Sequence, residues 1–468
     1  MSILKINNQL YLILYWILSI VFFVVAVLSV FGLDPGFDPY DSPSYFEFNL
    51  NDPVRLPVIT FIYSGLKYFD IIILFQITLN CVAWIFCVTN INFLIKLNIS
   101  KICLTLILYS LALTSPLLEQ HTMLLSESLS ISFLILSLGA YAKYLTDSSD
   151  KNLAILLIFL ILFAGIKISN SYIVFIIILI VLSFKLFSRK LVSNILQFIY
   201  LTMTLMAILF LIFLGEQARV TQNLVNITNI IERSFDDTDV KKWYIDKEFP
   251  SIAYTQYILP QDEPPIGKVI STPQVKKWMQ DGGENLVLQY IFSHPFFMLF
   301  GPIKPSLFLN NYTDFESIYP HISMGTINQN NTNLFSTLNG ITMDRSPDYL
   351  RALESNRLPF WSSNKLSYGL FPGLLLLLIL IQLTIGLKKD QYSSLNTFIN
   401  YSFLLAIVGI WSNWHFTLNY DMQRYLLPWS LLLRIIALTS FIALMERLSL
   451  NKFNLPWDRG LIKHQLHR

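Results

Sequence analysis

A chain of 468 residues that is 54% hydrophobic and only 13% charged, with a mean hydropathy of +0.53, excludes a soluble globular enzyme and reads as a polytopic membrane protein. The formal net charge of +3 gives no footing for a nucleic-acid partner. Cys81, Cys87 and Cys103 all lie in apolar runs, which leaves no disulfide framework or CxxC metal knuckle. Small buried hydrophobes account for them.

The first apolar stretch, from about residue 10 to 31, is too long for a signal-peptide core and no A-x-A-like site follows it, so a retained first helix is expected. Next comes "FGLDPGFDPYDSPSYFEF" (31–48), within a loop holding five acidic residues against one basic, Arg55, between Gly32 and Leu56. A mixed segment at 57–70 suits a short helix lying beside the membrane. Further apolar runs predict helices at 71–95, 102–116, 127–145, 152–167, 170–187, 192–214, 366–387, 394–414 and 425–446. With the first, that makes ten, and both termini fall on one side.

Lysine and arginine in the short connections set the orientation. Fifteen, from Lys5 and Lys96 to Arg447 and Arg468, lie on one side; only Arg55, Lys67, Lys167 and Arg424 lie on the other. The basic side is expected to be cytoplasmic. The outer side then gathers the acidic loop 32–70, the turn 116–127, the insert 216–365 and the link 413–425. Inside the insert, "ENLVLQYIFSHPFFMLFGPI" (284–303) is apolar, but His294-Pro295 at its middle predicts an interfacial or re-entrant piece rather than a span. Three regions result: an N-terminal transmembrane module (1–215), a large outer loop domain (216–365) and C-terminal helices with a basic tail (366–468). The fold class is an all-α membrane bundle of ten helices with a mixed outer-face loop domain.

Four polar groups on the outer face could carry chemistry. In the first loop, Asp34, Asp38 and Asp41 are ordinary turn residues in a solvated loop. A carboxylate held near the bilayer has a raised pKa and suits a general base on a sugar hydroxyl. In "SPLLEQHTMLLSESLS" (115–130), Glu119 and Glu127 would share a face of a continuous helix. The helix dipole accounts for Glu127 at a helix start; with His121 the two acids also fit an acceptor site or a divalent metal. In "GIKISNSY" (165–172), Lys167 is explained by snorkelling or by an anionic headgroup, beside Asn170 and Tyr172. In "WSNWHFTLNYDMQRYLLPW" (411–429), aromatics form an interfacial belt around His415 and Tyr425. Arg424 stands against the charge bias there, which points to an anionic partner, a phosphate or Asp421. One phosphate-bearing lipid would account for Arg55, Lys67 and Arg424 together.

The order of these motifs resembles the GT-C superfamily of glycosyltransferases, in the manner of the bacterial family 39 enzymes that use polyprenyl-phosphate sugars. "DSPSY" (41–45) is similar to an Asp-x-x-x-Tyr first-loop motif, 115–141 to the region between the third and fourth helices, and "HFTLNYDMQRYLLPW" (415–429) to a His…Arg-Tyr-x-x-Pro region. The likeness covers the first 190 residues and, loosely, the last 100; the insert matches nothing. It implies Asp41 as the general base, with Asp38 or Asp34 as alternatives, and Glu119 or Glu127 as a second acid. It implies Arg424 with Lys67 or Arg55 on the lipid phosphate, and Tyr45, His121, His415 and Tyr425 as substrate contacts. The donor would be a polyprenyl-phosphate sugar, the acceptor an envelope glycan, lipid or protein, and no soluble nucleotide is needed. No GxGxxG or GxxxxGK loop occurs in the chain. The setting would be a bacterial inner membrane with the site facing the periplasm.

Two other readings share these features. An O-antigen polymerase or ligase would lean on Arg345, Arg351 and Arg357 in the insert. A transporter of lipid-linked sugars would show internal repeats and charges at mid-membrane, where Arg434 is the single candidate.

Overall fold

The computed structural model describes residues 7–30, 36–37, 42–46, 48, 55–187, 195–217, 227, 230–231, 234, 238–258, 269, 271–281, 283, 285–300, 323–324, 393–416 and 422–453. The chain is helical throughout this part, apart from a two-residue antiparallel pairing of β1 (Gly36–Phe37) with β2 (Ser323–Met324). That pairing ties the first loop to the large insert.

The membrane module runs α1 (Asn8–Val30), α2 (Pro57–Leu66), α3 (Phe69–Leu94), α4 (Asn98–Ala112), α5 (Ser115–Gln120), α6 (Ser126–Thr146), α7 (Asp150–Ala164), α8 (Ile168–Phe187) and α9 (Ile195–Gln217). The insert contributes α10 (Thr238–Asp246), α11 (Ile252–Ile258), α12 (Pro273–Gln280), α13 (Asn285–Ser293) and α14 (Pro295–Phe300). The chain returns through α15 (Ser393–Phe416) and α16 (Met422–Phe453). Apolar runs set the long helices because a backbone in lipid must satisfy its own hydrogen bonds. Six described helices are long and apolar enough to cross a membrane: α1, α3, α6, α9, α15 and α16; α4 and α8 are shorter apolar helices. The protein is therefore an all-helical membrane protein.

Local chemistry sets the boundaries. Pro57 opens α2 at its first turn, where the missing N–H is harmless. Asn152 donates to the carbonyl and carboxylate of Asp147 (2.8 and 2.9 Å), closing the turn between α6 and α7. At His294-Pro295 the helix breaks into α13 and α14, as the proline requires. The run expected at 366–387 lies outside the described residues.

Burial separates the centre from the lipid-facing rim. In α6 and α16, 72% of the apolar window is buried, against 28% in α1 and α9. Exposed Leu12, Ile13, Ile20, Phe210 and Phe213 on those outer helices suit lipid. One continuous hydrophobic core joins the membrane helices, with Trp84, Tyr63 and Trp429 fully buried in it. The insert has a core of its own, in which Val240, Tyr244, Phe249, Trp278 and Ile291 are buried. Phe297 packs against both. Cys81 and Cys87 are buried free thiols and Cys103 is half-buried, as small hydrophobes would be.

Side-chain contacts bring the first-loop turn, α2, the start of α3, the start of α6 and the turn between α7 and α8 together at one end of the bundle. The candidate site lies at this end.

Candidate functional site

The connection from α4 to α6 departs from the single helix on which Glu119 and Glu127 would share a face. α5 stops at Gln120, residues 121–125 turn, and α6 begins at Ser126. Glu127 thus enters in the first turn of α6, where the helix dipole favours a negative charge. The Glu119 side chain lies outside the described residues.

Glu127 is fully buried and forms an ion pair with the amine of Lys167, whose side chain is 15% exposed. Lys167 occupies the short turn between α7 and α8 and meets a carboxylate of the protein, where the sequence suggested snorkelling or an anionic headgroup. The turn is fixed from both sides. Asn170 donates to Ser130 Oγ (2.8 Å) and to the Phe163 carbonyl (3.1 Å), and Ser171 donates to the Ala164 carbonyl (2.8 Å). Tyr172 is exposed. A buried ion pair is costly to desolvate, and removing one partner strands a charge. Its persistence at the rim is therefore informative.

The first loop returns to this pair. Ser42–Tyr45 forms a single 3-10 turn, and Tyr45 is buried with its hydroxyl 3.5 Å from Ser126 Oγ, one residue from Glu127. The Arg55 guanidinium lies 4.8 Å above the Tyr45 ring and its Nε donates to Ser44 Oγ (2.8 Å). A cation over a ring face is attracted by the ring's quadrupole. Tyr63 of α2 packs edge-on to Tyr45 and donates to the Leu125 carbonyl (2.7 Å), while Gln76 of α3 donates to the Tyr63 hydroxyl. A Cβ on Gly165 would meet Val58 Cγ2 at 2.3 Å, so only glycine lets α2 press this close to the turn carrying Lys167. Four chain segments far apart in sequence thus converge on the start of α6.

His121 is fully buried, with Nδ1 2.7 Å from Ser128 Oγ. Burial pushes its imidazole down to about 3, so it is neutral at pH 7. Lys67 caps α2 by donating its N–H to the Tyr63 carbonyl (3.0 Å); it is exposed, with φ 63° on the left-handed side where a side chain is strained.

His415 sits apart from this cluster. Its Nε2 and the Trp411 Nε1 both bond the Met298 carbonyl (3.1 and 2.7 Å), tying the end of α15 to α14 of the insert. It clasps the insert rather than extending the Glu127 cluster. Arg424 and Tyr425 lie on the first turn of α16, but their side chains lie outside the described residues, as do Asp34, Asp38, Asp41 and Asp421. Arg345, Arg351 and Arg357 do so too.

Among the described residues no three His, Cys, Asp or Glu side chains gather closely enough to share a metal ion. The sequence reading missed Tyr63, Gln76, Ser126 and Ser128. The serines were visible as the polar beginning "SESLSIS" of an otherwise apolar run, and Gln76 as an amide inside one.

The fold and the site together define an integral membrane protein with a polar cluster, built around one buried ion pair, at one end of its bundle. No protein-family model matches the chain, and no curated protein and no solved structure matches it significantly.

Proposed function

We propose that this protein is an inverting glycosyltransferase that moves a sugar from a polyprenyl-phosphate donor to a cell-envelope glycan, lipid or protein. In this reading it has ten transmembrane segments, both termini in the cytoplasm, and its site on the periplasmic face of a bacterial inner membrane. The observation that carries the proposal is the buried Glu127–Lys167 pair, set at the end of the bundle where Tyr45 of the acidic first loop meets the start of α6.

The chemistry follows from charge. The acceptor hydroxyl gives its proton to a carboxylate, for which Asp41, four residues before Tyr45, is the assigned base. Its oxygen bonds to the anomeric carbon from the face opposite the phosphate as the carbon–phosphate-oxygen bond breaks. The configuration at that carbon therefore inverts. Negative charge left on the lipid phosphate calls for cations, and Lys167, Arg55, Lys67 and Arg424 are the outer-face candidates. Glu127 keeps Lys167 charged until the phosphate competes for it.

The test is transfer from polyprenyl-phosphate sugars in proteoliposomes, comparing wild type with Asp41→Asn and Glu127→Gln. A loss of about 10²-fold or more is expected for Asp41→Asn. Activity equal to wild type in both variants would overturn the proposal.

A further inference from the structure

Below the site, α3 carries Gln76, Asn80 and Trp84. Steps of four residues put all three on one face, a turn apart. Each is buried, none more than 1% exposed. Asn80 lies eleven residues into α3, about 16 Å along the helix.

The stripe faces α6, against which α3 packs more extensively than any other pair of elements. At its outer end Gln76 Nε2 donates to the Met123 carbonyl (3.2 Å), just before α6 begins. At its inner end a Cβ on Gly139 of α6 would come within 2.8 Å of Cys87 Cα. Cys87 follows Gln76 by eleven residues and returns to the same face. The two helices are thus pinned at both ends of the stripe, with the backbones nearly touching at the inner one.

Several polar atoms of this stripe and the turn above it have no protein partner among the described residues. Both amide atoms of Asn80, Trp84 Nε1, Gln76 Oε1 and His121 Nε2 are buried and have no hydrogen-bond partner among the described residues. Other polar side chains of the same helices do find partners. Ser132 and Ser137 of α6 donate to carbonyls four residues back (2.9 and 2.8 Å), and Asn90 of α3 does the same (2.7 Å). Buried donors and acceptors in native proteins are almost always paired, with water where protein does not reach. The group combines donors with acceptors and contains no charged side chain. It therefore suits a small neutral partner able to donate and accept.

We propose that the seam between α3 and α6, lined by Gln76, Asn80 and Trp84 under His121, is an internal water-binding site. This goes beyond the glycosyltransferase reading and does not depend on it. The direct test is a density map of the full chain in detergent or nanodiscs at a resolution that shows ordered water. Density within hydrogen-bonding distance of the Asn80 amide and Trp84 Nε1 is expected; its absence would overturn the proposal. Thermal unfolding of Asn80→Leu gives a second measure. Stripping partners from bound water should lower Tm by several degrees, whereas replacing two orphaned groups by an apolar near-isostere in a dry seam would raise it. A rise in Tm would sink the idea, and if the variant does not fold, the wild-type map decides alone.

Discussion

Each end of the bundle buries a glutamate, and the two neutralise its cost differently. At the end opposite the site, Glu446 of α16 accepts the backbone N–H groups of Lys96 and Leu97 (2.9 and 2.8 Å). These amides lie in the turn that leads into α4. A carboxylate some 350 residues away along the chain therefore fixes the entry to that helix. Next to it Arg447 donates to Asn396 of α15 (2.7 Å). At the site end, Glu127 has a side-chain partner in Lys167 instead. Backbone amides are fixed by the chain, but a lysine amine can turn to another anion. If the proposed function holds, the glutamate at the opposite end is structural, and a phosphate would compete with Glu127 for Lys167.

The largest effect that would break this comparison is Glu127→Ala. Stranding Lys167 in a nearly dry site should destabilise the protein by about 3–5 kcal/mol. The double variant Glu127→Leu with Lys167→Met should recover most of that stability in denaturant unfolding while leaving transfer abolished. Recovery of activity as well would make the pair purely structural.

Acid is expected to act through His121. Burial depresses its pKa to about 3, below the usual 6.5 for histidine, so the unfolded chain binds the proton first. Stability should be fully present above pH 6.5 and fall as pH drops toward 3, by about 1.4 kcal/mol per pH unit from this group. Unfolding measured at pH 7 and pH 5 should show that loss in wild type and a smaller one in His121→Asn.

At the opposite end, Glu446→Ala removes the acceptor of two backbone N–H groups and should cost about 1–3 kcal/mol, and leave transfer per folded molecule unchanged. A loss of activity there as large as that of Glu127→Gln would erase the distinction between the two ends. The smallest effect concerns Lys67. Glycine accepts its positive φ without strain, so Lys67→Gly should raise stability by about 0.5–1 kcal/mol in thermal unfolding.

The long helices were legible because a span in lipid needs an unbroken apolar run of fixed length. The runs read at 10–31, 71–95 and 127–145 became Asn8–Val30, Phe69–Leu94 and Ser126–Thr146. The short helix after the first loop and the break at His294-Pro295 were legible too, since proline leaves a local mark. The connection 116–127 was legible as a gap between apolar runs, but the short helix Ser115–Gln120 at its start was not. Residues 121–125 are held as a turn where Tyr63 and Gln76 donate to the carbonyls of Leu125 and Met123.

By itself, then, the sequence determined the membrane setting and the long apolar helices among the described residues, because these depend on hydropathy along the chain. Only the tertiary structure decided that Lys167 pairs with Glu127 forty positions away, that His415 clasps Met298 of the insert, and that Glu446 holds the amides leading into α4. Charge and hydrogen-bond partners are chosen by distance in space after helices pack, and no periodicity in the chain encodes that distance.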